Sequence, residues 1–305
     1  MKKISLIIPV YRNVESLEQT YKNSIKILGT FPQHDYEIIF VNDGSDDGSL
    51  QKLLELKQAN SNKVKVVDFT RNFGQLAAVI AGMKLASGDA FITMSADLQE
   101  PVELIIQMIA KWDEGCKVVL GKRIGREDKL AAKLVSKLFY ALIKQSVKNM
   151  PKGGFDIFLL DKVVYKELLQ LDHKSSFLQG NILWFGYEPC FVEYRRLKRE
   201  FGKSQWPLRK KITYSIDGII STSYWPIRLM SLLGIMVSLL GFILALAVFI
   251  NYFYGTPVKG YTPIVMILLI ISGMIMTMLG VIGEYLWRIY EAIKGKPLFI
   301  VKNIY

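Results

Sequence analysis

Apolar positions along the first 120 residues follow two alternating rhythms. Short β-branched runs at residues 5–10, 36–41, 63–69 and 89–94 read as buried strands of the parallel type. Between the first two, Leu17, Tyr21, Ile25 and Leu28 recur near a period of 3.6, which predicts an amphipathic helix over 15–28. Helices are predicted at 49–59, 75–86 (stopped by Gly88) and 103–112, then a strand at 117–120 and a basic turn at Gly121-Lys122-Arg123. Strand and helix alternating at this spacing predict an open, mostly parallel sheet with helices on both faces. Ligands of such sheets bind beyond the carboxyl ends of the strands. Asp43, Arg71 and Asp97 all fall just past predicted strand ends.

The pattern changes toward the C-terminus. Residues 229–250 and 262–283 are two runs of 22 residues without a charge, each long enough to cross a hydrocarbon core of about 30 Å. Tyr252, Tyr254 and Tyr261 lie between them, and Trp225, Tyr285 and Trp287 mark the opposite ends, as interfacial aromatics do. The joining loop carries only Lys259, whereas Arg209, Lys210, Lys211, Arg228, Arg288, Lys294 and Lys296 sit on the outer flanks. The positive-inside rule then expects both chain ends in the cytoplasm. The alternative, a hairpin buried in a soluble core, fits two charge-free runs of this length poorly. The expected organisation is an α/β domain over 1–208, a basic juxtamembrane segment over 209–228, a two-helix membrane hairpin over 229–285 and a tail over 286–305.

Composition agrees with a membrane-anchored enzyme or module. Hydrophobic residues make up 51 % of the chain, and mean hydropathy is +0.24, with the excess near the C-terminus. Net charge is +12, from 39 basic against 27 acidic residues, which fits nucleic acid, anionic lipid or phosphorylated small molecules. Residues 195–211 hold eight Lys and Arg against Glu200 alone. Lying just before membrane-like sequence, this run is expected to meet anionic headgroups and not nucleic acid. A basic amphipathic helix at 129–145 has two readings, on the membrane surface or packed on the sheet. Cys116 and Cys190 have no metal or redox spacing and are expected as packing residues in a reducing compartment. The opening MKKISLIIPVY is too short in its apolar core for a signal peptide and reads as a first strand. Neither G-x-G-x-x-G after the first strand nor G-x-x-x-x-G-K-[ST] occurs, which argues against a dinucleotide-binding oxidoreductase or P-loop NTPase.

The densest chemistry lies in FITMSADLQEP at 91–101. Alternation along an extended segment would turn Asp97 and Gln99 to one side, as two oxygen ligands for a hard divalent ion. With IIPVYRN at 7–13, EIIFVNDGSDDGS at 37–49, RNFGQLAAVIAGMKLASGD at 71–89, GKR at 121–123 and GGFDIFLLDK at 153–162, this segment completes an ordered set. The chain thereby resembles the GT-A family 2 glycosyltransferases acting on polyprenyl phosphate, the group of dolichol-phosphate mannose synthase and the GtrB-type and ArnC-type transferases.

The resemblance implies an α/β GT-A fold, with Pro9 and Tyr11 beside the nucleobase, Asp43 accepting from a uracil N–H, and Arg71 and Gln75 nearby. It implies Mg²⁺ or Mn²⁺ on Asp97 and Gln99, and Asp156 as the catalytic or acceptor-orienting acid. Lys122, Arg123, Arg196, Arg199 and Lys203 would contact the donor diphosphate or the lipid phosphate. Two positions depart from the family pattern: Ser95 replaces the first acid of D-A-D-L-Q, and Phe158 stands where Arg is usual. The implied reaction is inverting transfer from a UDP-sugar to undecaprenyl phosphate at the bacterial inner membrane, by a homo-oligomer that would be tetrameric. Glucose is the expected sugar, with an N-acetylhexosamine or modified sugar as the alternative. A processive synthase is disfavoured by two spans and no Q-x-x-R-W, and a non-catalytic binding protein is the non-enzyme alternative.

Overall fold

The computed structural model describes residues 1–59, 62–124, 149–151, 154–171, 177–197, 232–237, 239–243, 246, 250 and 261–305. The basic helix expected at 129–145, the run beyond Leu197, and Lys259 lie outside them. The chain divides into one unit of Met1–Ser221 with Pro297–Tyr305 and a second of Thr222–Lys296.

The first unit is built on an eight-stranded sheet with the order β7-β5-β6-β4-β1-β2-β3-β8. Its strands are β1 (Lys2–Val10), β2 (His34–Asn42), β3 (Val64–Phe69), β4 (Ala90–Thr93), β5 (Val118–Arg123), β6 (Phe158–Asp161), β7 (Pro189–Tyr194) and β8 (Val301–Ile304). β1, β2, β3 and β4 run parallel, as do β5 and β7, while β6 is antiparallel to β4 and β5, and β8 to β3. Only β6 and β8 therefore oppose the common direction, and the mostly parallel sheet expected from the pattern is present. The helices are α1 (Leu17–Gly29), α2 (Ser49–Ala59), α3 (Gln75–Leu85), α4 (Val102–Asp113), α5 (Lys162–Gln170) and α6 (Leu178–Trp184).

Two apolar clusters form the core. One joins Ile7, Ile39, Val67 and Phe91 to the small-residue face of α3, and the other joins Leu6, Ile8, Phe40 and Ile92 to α1 and α4. Successive residues of each strand thus serve opposite faces, as the pleat requires. α3 lies close because it carries Gly82, where a Cβ would come within 2.8 Å of Ile7 Cγ1.

Three details correct the sequence-based picture. Gly121, Lys122 and Arg123 are not a turn; they finish β5, opposite Val192, Glu193 and Tyr194 of β7. Cys116 and Cys190 are joined as a disulfide, Cys190 lying opposite Val119 across the β5–β7 ladder. A separation of 74 residues gave no sign that these strands are neighbours, and the cysteines no longer argue for a reducing compartment. The last residues also do not trail away, since β8 pairs along the outer edge of β3.

In the second unit, α7 (Tyr261–Ile293) is a helix of 33 residues. Its window Ile270–Trp287 is apolar and long enough to cross a membrane, with none of it buried. A shorter apolar helix runs over Leu232–Ile243, inside the first of the two charge-free runs.

Candidate active site

Every described candidate lies at or beyond the carboxyl edge of the parallel strands. Pro9 is the penultimate residue of β1, and the Tyr11 N–H just beyond it donates to Asn13 Oδ1 at 3.0 Å. Arg12 takes a positive φ of 56° and grips Asp46 through two hydrogen bonds of 2.6 and 2.7 Å. Asp43 follows β2 and is 3 % exposed. Its Oδ1 accepts from the Phe73 N–H at 2.6 Å and its Oδ2 from the Gly74 N–H at 2.9 Å. Asp43 therefore braces the loop that opens α3. Gly44 lets the two loops touch: its φ is +64°, and a Cβ there would come within 2.6 Å of Asn72 N. Arg71 stacks its guanidinium 4.2 Å from the Phe73 ring centroid, and Gln75 is the first residue of α3.

Asp97 is reached differently from the way alternation suggested. β4 ends at Thr93, and residues 96–98 form a turn in which Leu98 adopts a left-handed φ of 57°. The turn, and not an extended strand, relates Asp97 to Gln99, whose N–H donates to Asp97 Oδ1 at 3.3 Å. Ser16 and Thr20 of the α1 start fasten the turn through the Ala96 carbonyl. The Ser95 hydroxyl donates to Asp97 Oδ1 at 2.9 Å and also contacts the Glu100 carboxylate. Glu100 is the residue that pattern reading did not single out. Burial pushes its carboxyl up to about 7, and the negative charge of Asp97 adds to this against the pull of Ser95 and Arg196. The signal available in the sequence was an acid three residues beyond another acid, next to a buried strand end.

Asp156 joins the same edge because β6 runs the other way, so that its amino end lies where its neighbours end. Arg123, at the end of β5, donates to Asp156 Oδ2 at 2.7 Å. Arg196 lies 3.8 Å from Asp97 Oδ2, and the Leu197 N–H donates to the Gln99 carbonyl at 2.9 Å. The stretch after β7 is thus laced to the Asp97 turn. Lys122 is drawn sideways onto Glu193 at 2.7 Å, away from the acidic pair. Phe158 is 4 % exposed and packs its ring on Phe91 and Phe155, so this position serves the core and leaves Arg123 as the cation beside Asp156. Arg199 and Lys203 lie outside the described residues.

Asp97, Gln99 and Glu100 offer oxygen, the donor type of Mg²⁺ or Mn²⁺, which bind through one or two carboxylates with water and substrate phosphate completing the shell. No group of three or more His, Cys, Asp or Glu converges on one point among the described residues. The crowding that holds the Glu100 carboxyl near 7 is nonetheless what a cation between these acids would relieve. On donor type and local charge, the residues fit such an ion.

Glycosyl transferase family 2 matches residues 5–168 of the chain. An uncharacterised glycosyltransferase of Bacillus subtilis, YkcC, is 36 % identical over 99 % of this chain and 94 % of its own. The SfII prophage-derived bactoprenol glucosyl transferase of Shigella flexneri is 33 % identical over 99 % of this chain and 98 % of its own. Among solved structures, glucosyl-3-phosphoglycerate synthase of Mycobacterium tuberculosis with Mn²⁺, UDP-glucose and phosphoglyceric acid is 16 % identical. That comparison covers 72 % of this chain and 79 % of the other, at a TM-score of 0.47. By the family match and by full-length identity to these relatives, the chain is a member of glycosyl transferase family 2.

Proposed function

We propose that this chain transfers a sugar, with inversion, from a UDP-sugar to undecaprenyl phosphate at the cytoplasmic face of a bacterial membrane. The observation that carries the reading is the meeting of two acid–base sets on one sheet edge: Asp97 beside Arg196, and Asp156 beside Arg123. An acidic pair can hold a cation against a diphosphate, and guanidinium groups suit phosphate oxygens. The bactoprenol glucosyl transferases, similar over their full length, support a lipid carrier as acceptor and glucose as the sugar. Asp97, Gln99 and Glu100 would hold Mg²⁺ or Mn²⁺, which offsets charge on the diphosphate leaving group. Asp43, Arg71, Gln75, Pro9 and Tyr11 lie at the neighbouring strand ends, loops and helix start and would receive the nucleotide. Asp156 would orient the acceptor phosphate, an anion that needs no enzyme nucleophile to attack the anomeric carbon.

The return of the chain into its own sheet supports the membrane hairpin. β8 pairs with β3 of the unit that starts at Met1, so both ends of the chain belong to the same unit. Were the second unit to cross a bilayer, an even number of crossings would follow, and the charge-free runs 229–250 and 262–283 would provide two.

The test is turnover by the purified full chain in nanodiscs, with undecaprenyl phosphate and a panel of UDP-glucose, UDP-N-acetylglucosamine and UDP-galactose. We expect a glycosyl phospholipid from UDP-glucose, loss of product in EDTA, and recovery with Mn²⁺ or Mg²⁺. Binding of UDP-sugars without any product would refute the catalytic reading, and undiminished product in EDTA would remove the ion from it.

A further inference from the structure

The C-terminal nine residues reach the loop that carries Arg71. β8 runs antiparallel to β3 with Val67 opposite Ile304 and Phe69 opposite Val301. Pairing continues past the end of β3, where the Thr70 N–H donates to the Ile300 carbonyl at 3.2 Å. Just before β8, Phe299 stacks on Phe69, with centroids 5.1 Å apart and planes 13° from parallel. Phe69 is 2 % exposed and meets Phe73 edge-on at 5.7 Å and 89°. Phe73 in turn gives its N–H to Asp43 and its ring face to Arg71. Three rings therefore run without a gap from the C-terminal segment to the loop between β3 and α3. Aromatic pairs in these geometries favour specific orientations beyond their area burial, so Phe299 limits where Phe69, and through it Phe73, can sit.

We propose that Phe299 is a positioning residue of the donor site, holding the Arg71–Gly74 loop through Phe69 and Phe73 so that Asp43 and Arg71 meet the nucleotide preorganised. This rests on the donor reading above. It acts through other side chains and touches no substrate. Its loss should therefore appear in donor affinity before turnover, because a loosened loop must be reordered on binding. The segment follows α7 by three residues, Lys294, Gly295 and Lys296, so the apolar helix and the donor loop are joined through one short stretch of chain.

The test uses the full chain in nanodiscs with two readouts: hydrogen exchange at the Phe73 and Gly74 amides, and steady-state kinetics with UDP-glucose as donor. Phe299→Ala should speed exchange at both amides by about tenfold and raise donor KM roughly five- to tenfold, with kcat within about twofold. Phe299→Leu, which keeps apolar bulk without the flat ring, should shift both readouts the same way and covers the case in which the alanine variant fails to fold. Phe299→Tyr should restore wild-type values. Ile304→Ala, on the same strand away from the rings and 55 % exposed, should leave both unchanged. Unaltered exchange in the alanine and leucine variants overturns the proposal. Faster exchange with unaltered donor KM also overturns it, and leaves the donor reading intact. A wild type that transfers no sugar at all overturns the donor reading and with it the role of Phe299, while the exchange pattern still reports whether the ring contact holds.

Discussion

Two acids of this sheet, Glu37 near its amino edge and Glu100 beyond its carboxyl edge, are pushed in opposite directions by their surroundings. Glu37 is 2 % exposed. It accepts from Ser5 Oγ and the Ser87 N–H at 2.6 Å and from Lys65 Nζ at 2.9 Å, with Lys3 Nζ 3.4 Å away. Burial alone would raise its pKa, yet the bonds from Ser5, Lys65 and Ser87 hold it at about 2. Glu100 is raised to about 7 by burial and by Asp97. A carboxylate ringed by donors is held ionised, whereas one buried beside another acid resists ionisation, a crowding that a cation there would relieve. The two acids thus lie at opposite ends of the sheet with their ionic forms perturbed in opposite directions, as expected if stability and the proposed chemistry are separated.

The largest effect that would sharpen this contrast is at Asp97. Asp97→Asn keeps size and shape while removing the charge that crowds Glu100. We expect turnover to fall by more than about 10³-fold, with the melting temperature within a few degrees of wild type. Turnover within tenfold of wild type would move the cation-holding role off this turn.

Glu37→Gln should do the reverse, costing stability and sparing chemistry. Its folded pKa lies below the unfolded one, so its contribution is complete above about pH 4.5 and is lost as pH falls through about 2. A shift from 4.5 to about 2 corresponds to roughly 3 kcal/mol at neutral pH. Melting of wild type and variant at pH 7 and pH 3 should show a gap that shrinks by about half or more at the lower pH. kcat at a temperature where both are folded should agree within about twofold. A gap that is constant with pH would mean that packing around Glu37, and not its charge, supplies the stability.

How much of this was legible in the sequence depended on how local its cause was. The β-branched runs that became β1 to β4 and the 3.6-residue spacing of α1 are properties of a dozen neighbouring residues, and pattern alone found them. β8 was not legible: Val301, Lys302, Asn303 and Ile304 mix polar with apolar after a long apolar helix, and their partner β3 lies more than 200 residues away. The Cys116–Cys190 pair was hidden for the same reason. In the site, Asp43, Arg71 and Asp97 were readable because a parallel sheet sends its strand ends to one edge. Asp156 was named by motif, but its pairing with Arg123 depends on the reversed direction of β6. Glu100 left only a weak mark in the sequence, an acid three residues beyond another, because what sets it apart is burial beside Asp97.

Asp156 offers the finest test of the carboxyl edge, since it is held there by Arg123 and its side chain is half exposed. The proposed acceptor phosphate has a second pKa near 6 by analogy with phosphorylated side chains, so above neutral pH it needs no base. If Asp156 orients the acceptor or stabilises positive charge developing on the sugar, Asp156→Asn should lower kcat by about 10²-fold, a loss of some 2.7 kcal/mol in the transition state. That loss should persist at pH 8.5, where the acceptor is fully ionised. A general base acting on the monoanionic phosphate would instead become dispensable as pH rises, and the variant would recover. Arg123→Ala should resemble Asp156→Asn in kcat, because it frees the carboxylate from its one cation on this edge among the described residues. A pH profile of wild type and both variants at saturating donor and lipid separates the two mechanisms. Recovery of Asp156→Asn to within about threefold of wild type at pH 8.5 would overturn the positioning role. Equal activity at every pH would leave Asp97 and its neighbours as the sole acidic chemistry of the site.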